Sequence, residues 1–219
     1  MIALLWKDLV IELRTKETLA SLFLLGTLLL IVLSFAFDPT HPMREQSAPG
    51  VLWVAIIFAG TSAINRSLLR ERENDCFAGL LLAPIDRGTI YLAKTVVNLI
   101  LLLVAEAFLI PLFIFFFNLP FLATVARLAL VAPVITLGFA AIGTLFAAIS
   151  LRTRAREIML PLLMLPLATP LFLAAVEITR DLMNGASYAD VSHWFKLACT
   201  FDVVFLVVGW LTFEYAAAE

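Results

Sequence analysis

The sequence predicts an all-α membrane protein: six transmembrane helices, preceded by an amphipathic helix in the interface and interrupted by one charged insert. Three observations predict it. Of 219 residues, 63% are hydrophobic and 15% charged, an apolar share above and a charged share below those of soluble domains. The apolar residues gather into six runs near the roughly 20 residues needed to cross a hydrocarbon core of roughly 30 Å. Lysine and arginine cluster in the segments that six crossings place on one side.

The first element is residues 1–17. Ile2, Leu5, Trp6, Leu9, Val10 and Leu13 recur at helical spacing, with Lys7, Asp8, Glu12, Arg14 and Lys16 on the other side. Glu12 and Lys16 make a favourable i, i+4 pair. Charges threaded through this stretch set it apart from a cleavable signal peptide, and it is expected to lie in the interface rather than cross it.

The six runs are residues 19–37, 50–65, 95–117, 128–149, 158–176 and 197–213, of which the second and sixth are short for a span. Six crossings put both termini on one side. That side collects Lys7, Arg14, Lys16, Arg66, Arg70, Arg72, Arg87, Lys94, Arg152, Arg154 and Arg156, whereas the other holds Arg44, Arg127, Arg180 and Lys196. Eleven against four makes the termini cytoplasmic. No internal repeat and no soluble domain interrupts the spans, so residues 1–219 read as one transmembrane domain.

Several function classes fall away. A net charge of -2 gives no global basic face for nucleic acid. No G-x-x-x-x-G-K-[ST] phosphate loop, H-E-x-x-H helix or paired-cysteine metal motif occurs, so any ATP must be hydrolysed by another chain. Cys76 and Cys199 fall in a polar loop and in the sixth span, which makes them free thiols rather than a disulfide. His41 and His193 both fall on the non-cytoplasmic side, where the ordinary interfacial role outweighs ligation of a haem iron.

The insert at 66–90 is the strongest local signal. Leu68, Leu69, Phe77, Leu80 and Leu81 recur at helical spacing among Arg70, Glu71, Arg72, Glu73 and Asp75, and Pro84 ends the run. A basic amphipathic helix would rest on lipid, but Glu71, Glu73, Asp75 and Asp86 would be repelled by an anionic leaflet. A docking helix for a cytoplasmic protein accepts both signs and is the better reading.

Within the spans, Glu106 lies near the middle of the third, where an isolated ionised carboxylate costs several kcal/mol, so it must be paired, protonated or wetted. Asn98 lies about 80° away around the same helix, close enough to share a polar flank. Both are candidate pathway or coupling residues, against the plainer reading of helix packing through a buried hydrogen bond. Asp202 reads as an interfacial group. Pro161, Pro166 and Pro170 crowd the fifth span and predict a kinked or discontinuous helix, of the kind that lines substrate sites or is simply packed as a static kink. Ala140 with Thr144 and Gly143 with Ala147 are small-residue pairs that permit close helix contact.

Four stretches carry a resemblance when taken in order: "LLWKDLVIELRTKETL", "APGVLWVA" at 48–55, "LLLAP" at 80–84 with "LAK" at 92–94, and "LPLLMLPLATPLFLAA" at 160–175. Together they resemble the CcmB family over essentially the whole chain, although Cys76 and Phe77 are interposed before the "LLL" of the insert. The resemblance implies a type-2 ABC exporter permease of the bacterial inner membrane with no cofactor of its own. ATP would be bound by a partner ATPase, CcmA, haem would be handled by the complex, and CcmC, CcmD and the haem chaperone CcmE would be further partners around two copies of the chain. It also makes the insert, from Leu68 to Pro84, a coupling helix for the ATPase. Release of haem-loaded chaperone is favoured slightly over translocation of a substrate along the fifth span and the Glu106 flank. An ion-coupled carrier using Glu106 is the alternative from another class, and a membrane scaffold without turnover is a third.

Overall fold

The computed structural model describes residues 2–37, 43–73, 86–150 and 156–217. Among them are seven α-helices and no strand: α1 (Ile2–Thr15), α2 (Glu17–Ala36), α3 (Met43–Glu73), α4 (Arg87–Phe117), α5 (Phe121–Ser150), α6 (Arg156–Met183) and α7 (Ser192–Ala217). Six of them, α2 to α7, are long and apolar enough to cross a membrane. The protein is a multi-pass membrane protein.

Helices α3 to α7 outrun their apolar windows. The second and sixth spans, short in the sequence, cover 23 residues from Arg44 to Arg66 and 22 from Ser192 to Phe213. Polar residues such as Gln46, Ser192 and His193 continue the helix into the interface, because backbone hydrogen bonding does not stop where hydrophobicity does. The start of the insert is helical as well. Helix α3 continues without interruption to Glu73, so the backbone of Leu68, Leu69, Arg70, Glu71, Arg72 and Glu73 extends the second span's helix. At the far end, Arg87 already opens α4, capped by Asp86, whose carboxylate accepts from the Thr89 amide at 3.1 Å. The side chains of 67–73 and all of 74–85, including Asp75, Phe77, Leu80, Leu81 and Pro84, lie outside the described residues.

In the fifth span, of the kinked or discontinuous helix expected, the discontinuous form does not occur. Helix α6 runs unbroken from Arg156 to Met183 with Pro161, Pro166 and Pro170 inside it. Each proline leaves the carbonyl four residues earlier without its helical donor, and the Thr169 hydroxyl back-bonds to the Leu165 carbonyl at 3.0 Å within the same stretch. A buried stripe of Leu160, Met164, Ala168, Leu171, Ala175 and Ile178 at helical spacing holds the helix in place.

Helices α3 and α5 form the centre, each with 72% of its span buried, while α2 and α7 bury 22% and 17% and present aliphatic faces outward. Gly143 lets α5 approach Ile64 of α3 and Met164 of α6, and a Cβ there would meet Ile64 at 2.5 Å. Between α1 and α2 the chain turns at one residue, Lys16, in the left-handed conformation with φ 55°. After α4, Asn118 closes the helix in the same conformation, with its N–H on the Ile114 and Phe115 carbonyls.

Candidate functional site

Polar side chains inside the bundle converge on α5 from two neighbouring helices. From α4, the Asn98 amide donates to the Thr144 hydroxyl at 2.8 Å, and Thr144 in turn donates to the Ala140 carbonyl at 2.7 Å. Two turns along, Glu106 accepts from the Thr136 hydroxyl at 2.5 Å through Oε1. Eight residues separate Asn98 from Glu106 and eight separate Thr136 from Thr144, which is what two antiparallel helices in register require. Asn98 and Glu106 are 3% and 2% exposed, so their shared polar flank is a sealed helix contact. Glu106 Oε2 has no hydrogen-bond partner among the described residues.

The other carboxylate in this region is Asp202 of α7. It is 4% exposed, not interfacial as its position in the sequence suggested, because α7 turns it onto α5. A Cβ on Gly138 would collide with Asp202 Oδ1, so the glycine is what admits the carboxylate. Oδ1 also lacks a hydrogen-bond partner among the described residues. Nearer the start of α4, the Tyr91 hydroxyl lies 3.0 Å from the Ala141 carbonyl of α5 and 3.1 Å from the Phe205 carbonyl of α7. One phenol thus ties three spans, and Gly209 of α7 makes room for its ring.

Lys94, also on α4, forms a buried ion pair with Asp8 of α1 at 2.5 Å, with Lys7 3.3 Å from the other carboxylate oxygen. The interfacial helix therefore turns its acidic side inward: Leu4, Asp8 and Glu12, at successive turns, are buried, while Trp6 and Ile11 are exposed. Leu5 and Leu9 pack against Leu19, Val97 and Leu101 of α2 and α4, so α1 meets the protein with apolar side chains as well as with its acids.

The remaining candidates are dispersed. Pro166 and Pro170 lie on the exposed side of α6 and Pro161 is half-buried. Among the described residues, helices α4 and α6 do not pack extensively against each other, so the prolines and the Asn98–Glu106 flank do not border a common space. His193 is exposed beside Trp194, at 5.1 Å between ring centroids, and His41 lies outside the described residues. Among the described residues no group of three metal-ligating side chains assembles. Cys199 is a free, exposed thiol.

Sequence reasoning missed Tyr91, Lys94, Thr136, Thr144 and Gly138. The matched spacing of two threonines on α5 with Asn98 and Glu106 on α4 was a usable signal; Tyr91 and Gly138 carried none that separates them from ordinary span residues.

Compared with known protein families, the whole chain, residues 1–219, matches the family described as "CcmB protein". The chain belongs to the CcmB family. Among curated relatives of this CcmB chain is one from Rhodobacter capsulatus named "Heme exporter protein B", 25% identical over 188 residues that make up 84% of each chain. The all-helical fold with six spans is that of a CcmB membrane permease.

Proposed function

We propose that this CcmB-family chain is the membrane permease subunit of an ABC-type haem exporter in the bacterial inner membrane, working with an ATPase supplied by a separate chain. The match to the family over the whole chain is the observation that carries this reading, and the relative named as a haem exporter gives its cargo. The absence of a phosphate loop from the sequence supports an ATPase in trans. The eleven-to-four distribution of basic residues supports cytoplasmic termini.

In this reading residues 1–219 act as one permease domain. The insert from Leu68 to Pro84 is the ATPase-docking segment, with Leu68, Leu69, Phe77, Leu80 and Leu81 as apolar anchors among Arg70, Glu71, Arg72, Glu73 and Asp75. CcmA is the ATPase, CcmC, CcmD and CcmE are the further partners, and two copies of the chain sit in the complex. The permease performs no chemistry itself and holds no cofactor. ATP-driven closure of the ATPase pair bears on the insert, whose two ends run into α3 and α4, and the load passes from α4 through Asn98 and Glu106 to α5.

The sealed α4–α5 contact and the outward-facing Pro166 and Pro170 favour transmission of force, ending in release of haem-loaded chaperone, over passage of haem between these helices. Replacing Leu80 and Leu81 by Asp is expected to abolish co-purification of the ATPase while the protein still inserts in the membrane; undiminished co-purification would refute the docking assignment. A second reading rests on Glu106 Oε2, a buried oxygen without a partner among the described residues, which suits a proton or cation site in an ion-coupled carrier. Haem-linked activity that follows ATP and ignores an ion gradient excludes it.

A further inference from the structure

On the side opposite the termini, three of the four cations are already engaged. Arg44 donates to the Phe116 carbonyl at 2.7 Å and stands over the Phe117 ring, Arg127 donates to the Met183 carbonyl, and Arg180 pairs with Glu177 at 2.7 Å. Lys196, one turn into α7, is exposed and forms no ion pair among the described residues. It stands at the mouth of a groove of about 420 Å³ between α6 and α7, walled by Pro170, Thr200, Phe201, Val204 and Phe205.

The groove's charge and apolar lining point to the class of its occupant. From Lys196 to Phe205 is nine residues of helix, about 13.5 Å at 1.5 Å per residue, close to half of a hydrocarbon core of roughly 30 Å. The cleft therefore spans one leaflet, with a cation at the polar end and apolar walls for the rest. The cleft is open along α7 and apolar beyond Lys196 and Thr200, a surface on which a flexible acyl chain lies without having to be enclosed.

We propose that the α6–α7 groove is a binding site for an anionic phospholipid of the leaflet opposite the termini, its phosphate on the Lys196 ammonium and one acyl chain along Thr200, Val204 and Phe205. The site goes beyond the exporter reading and does not depend on it. The phosphate is a charge-assisted acceptor for Lys196, and the chain covers apolar surface on α7, one of the least buried helices.

Native mass spectrometry of the detergent-purified protein, titrated with phosphatidylglycerol or phosphatidylcholine, tests the site. A single phosphatidylglycerol is expected to remain bound where phosphatidylcholine is lost. Lys196→Ala should weaken phosphatidylglycerol about fivefold, the effect of one basic residue at an anionic surface. Thr200→Trp and Val204→Trp, which fill the groove from side chains that point out of the bundle, should remove the bound lipid altogether. Equal retention of the two lipids, or unchanged phosphatidylglycerol binding in the Lys196→Ala and tryptophan variants, overturns the proposal. So does cross-linking of a photoreactive group at Val204 to a polypeptide instead of lipid in native membranes.

Discussion

The Thr136 hydroxyl is the one group among the described residues that hydrogen-bonds Glu106, and this single contact sets the cost of having a carboxyl in the middle of a span. Removing one member of such a pair is worse than removing both, because the survivor keeps its desolvation cost without its partner. Thr136→Val is therefore expected to destabilise the protein by about 1–2 kcal/mol, within the range for hydrogen bonds between membrane helices, and Glu106→Leu with Thr136→Val by less. Thermal unfolding in detergent measures both. Gly138 poses the opposite problem, overpacking: Gly138→Ala drives a methyl into the Asp202 carboxylate and should cost about 1–3 kcal/mol. Adding Asp202→Ala, which empties that space, should recover part of the loss; a Gly138→Ala protein as stable as the parent would show that α5 and α7 are not this close.

Among the elements, α1 is unusual in burying its acids against the protein beside its leucines. Its attachment combines the packing of Leu5 and Leu9 with the Asp8–Lys94 pair, both members of which are buried. Breaking a buried pair on one side costs about 3–5 kcal/mol when it strands a charge, whereas replacing both by apolar residues is often neutral. Lys7, 3.3 Å from Asp8, keeps part of that charge paired, so Lys94→Met should loosen α1 by less than that range, seen as faster proteolysis near Lys16 and a lower melting temperature, and Asp8→Leu with Lys94→Met should restore both. The helical pattern of α1 and the existence of six spans were legible in the sequence, since periodicity and run length are local properties. The side on which Asp8 and Glu12 would be buried was not, because it is decided by a lysine 86 residues away. The same limit hid Asp202, whose setting depends on a glycine in another helix. Of the two outcomes the three prolines allowed, a broken helix is the one that fails: each is a local breaker, yet α6 stays in one piece with a packed stripe from Leu160 to Ile178.

At the scale of the whole molecule, charge asymmetry and helix count make one joint prediction. A fluorescent protein fused after residue 219 should fluoresce, as expected of a cytoplasmic terminus, and alkaline phosphatase placed in the turn between α6 and α7 should be active. The reverse pattern would invert every assignment of sides made from the eleven and four basic residues. The central position of α3 and α5 shows why the chain tolerates so much exposed aliphatic surface elsewhere: α2 and α7 lean on that centre and give their outer faces to the bilayer. Tyr91 carries a different consequence, which concerns how the protein is made. Its hydroxyl reaches an acceptor 50 residues downstream and another 114 residues downstream. As synthesis proceeds from the N-terminus, the third span enters the membrane before either helix that will hold it exists there. The fourth span brings partners for Asn98 and Glu106, but the last bond of Tyr91 waits for the sixth. The sixth span is thus a latch of the bundle, and a ribosome that stops short of it leaves the third span open for quality control to find.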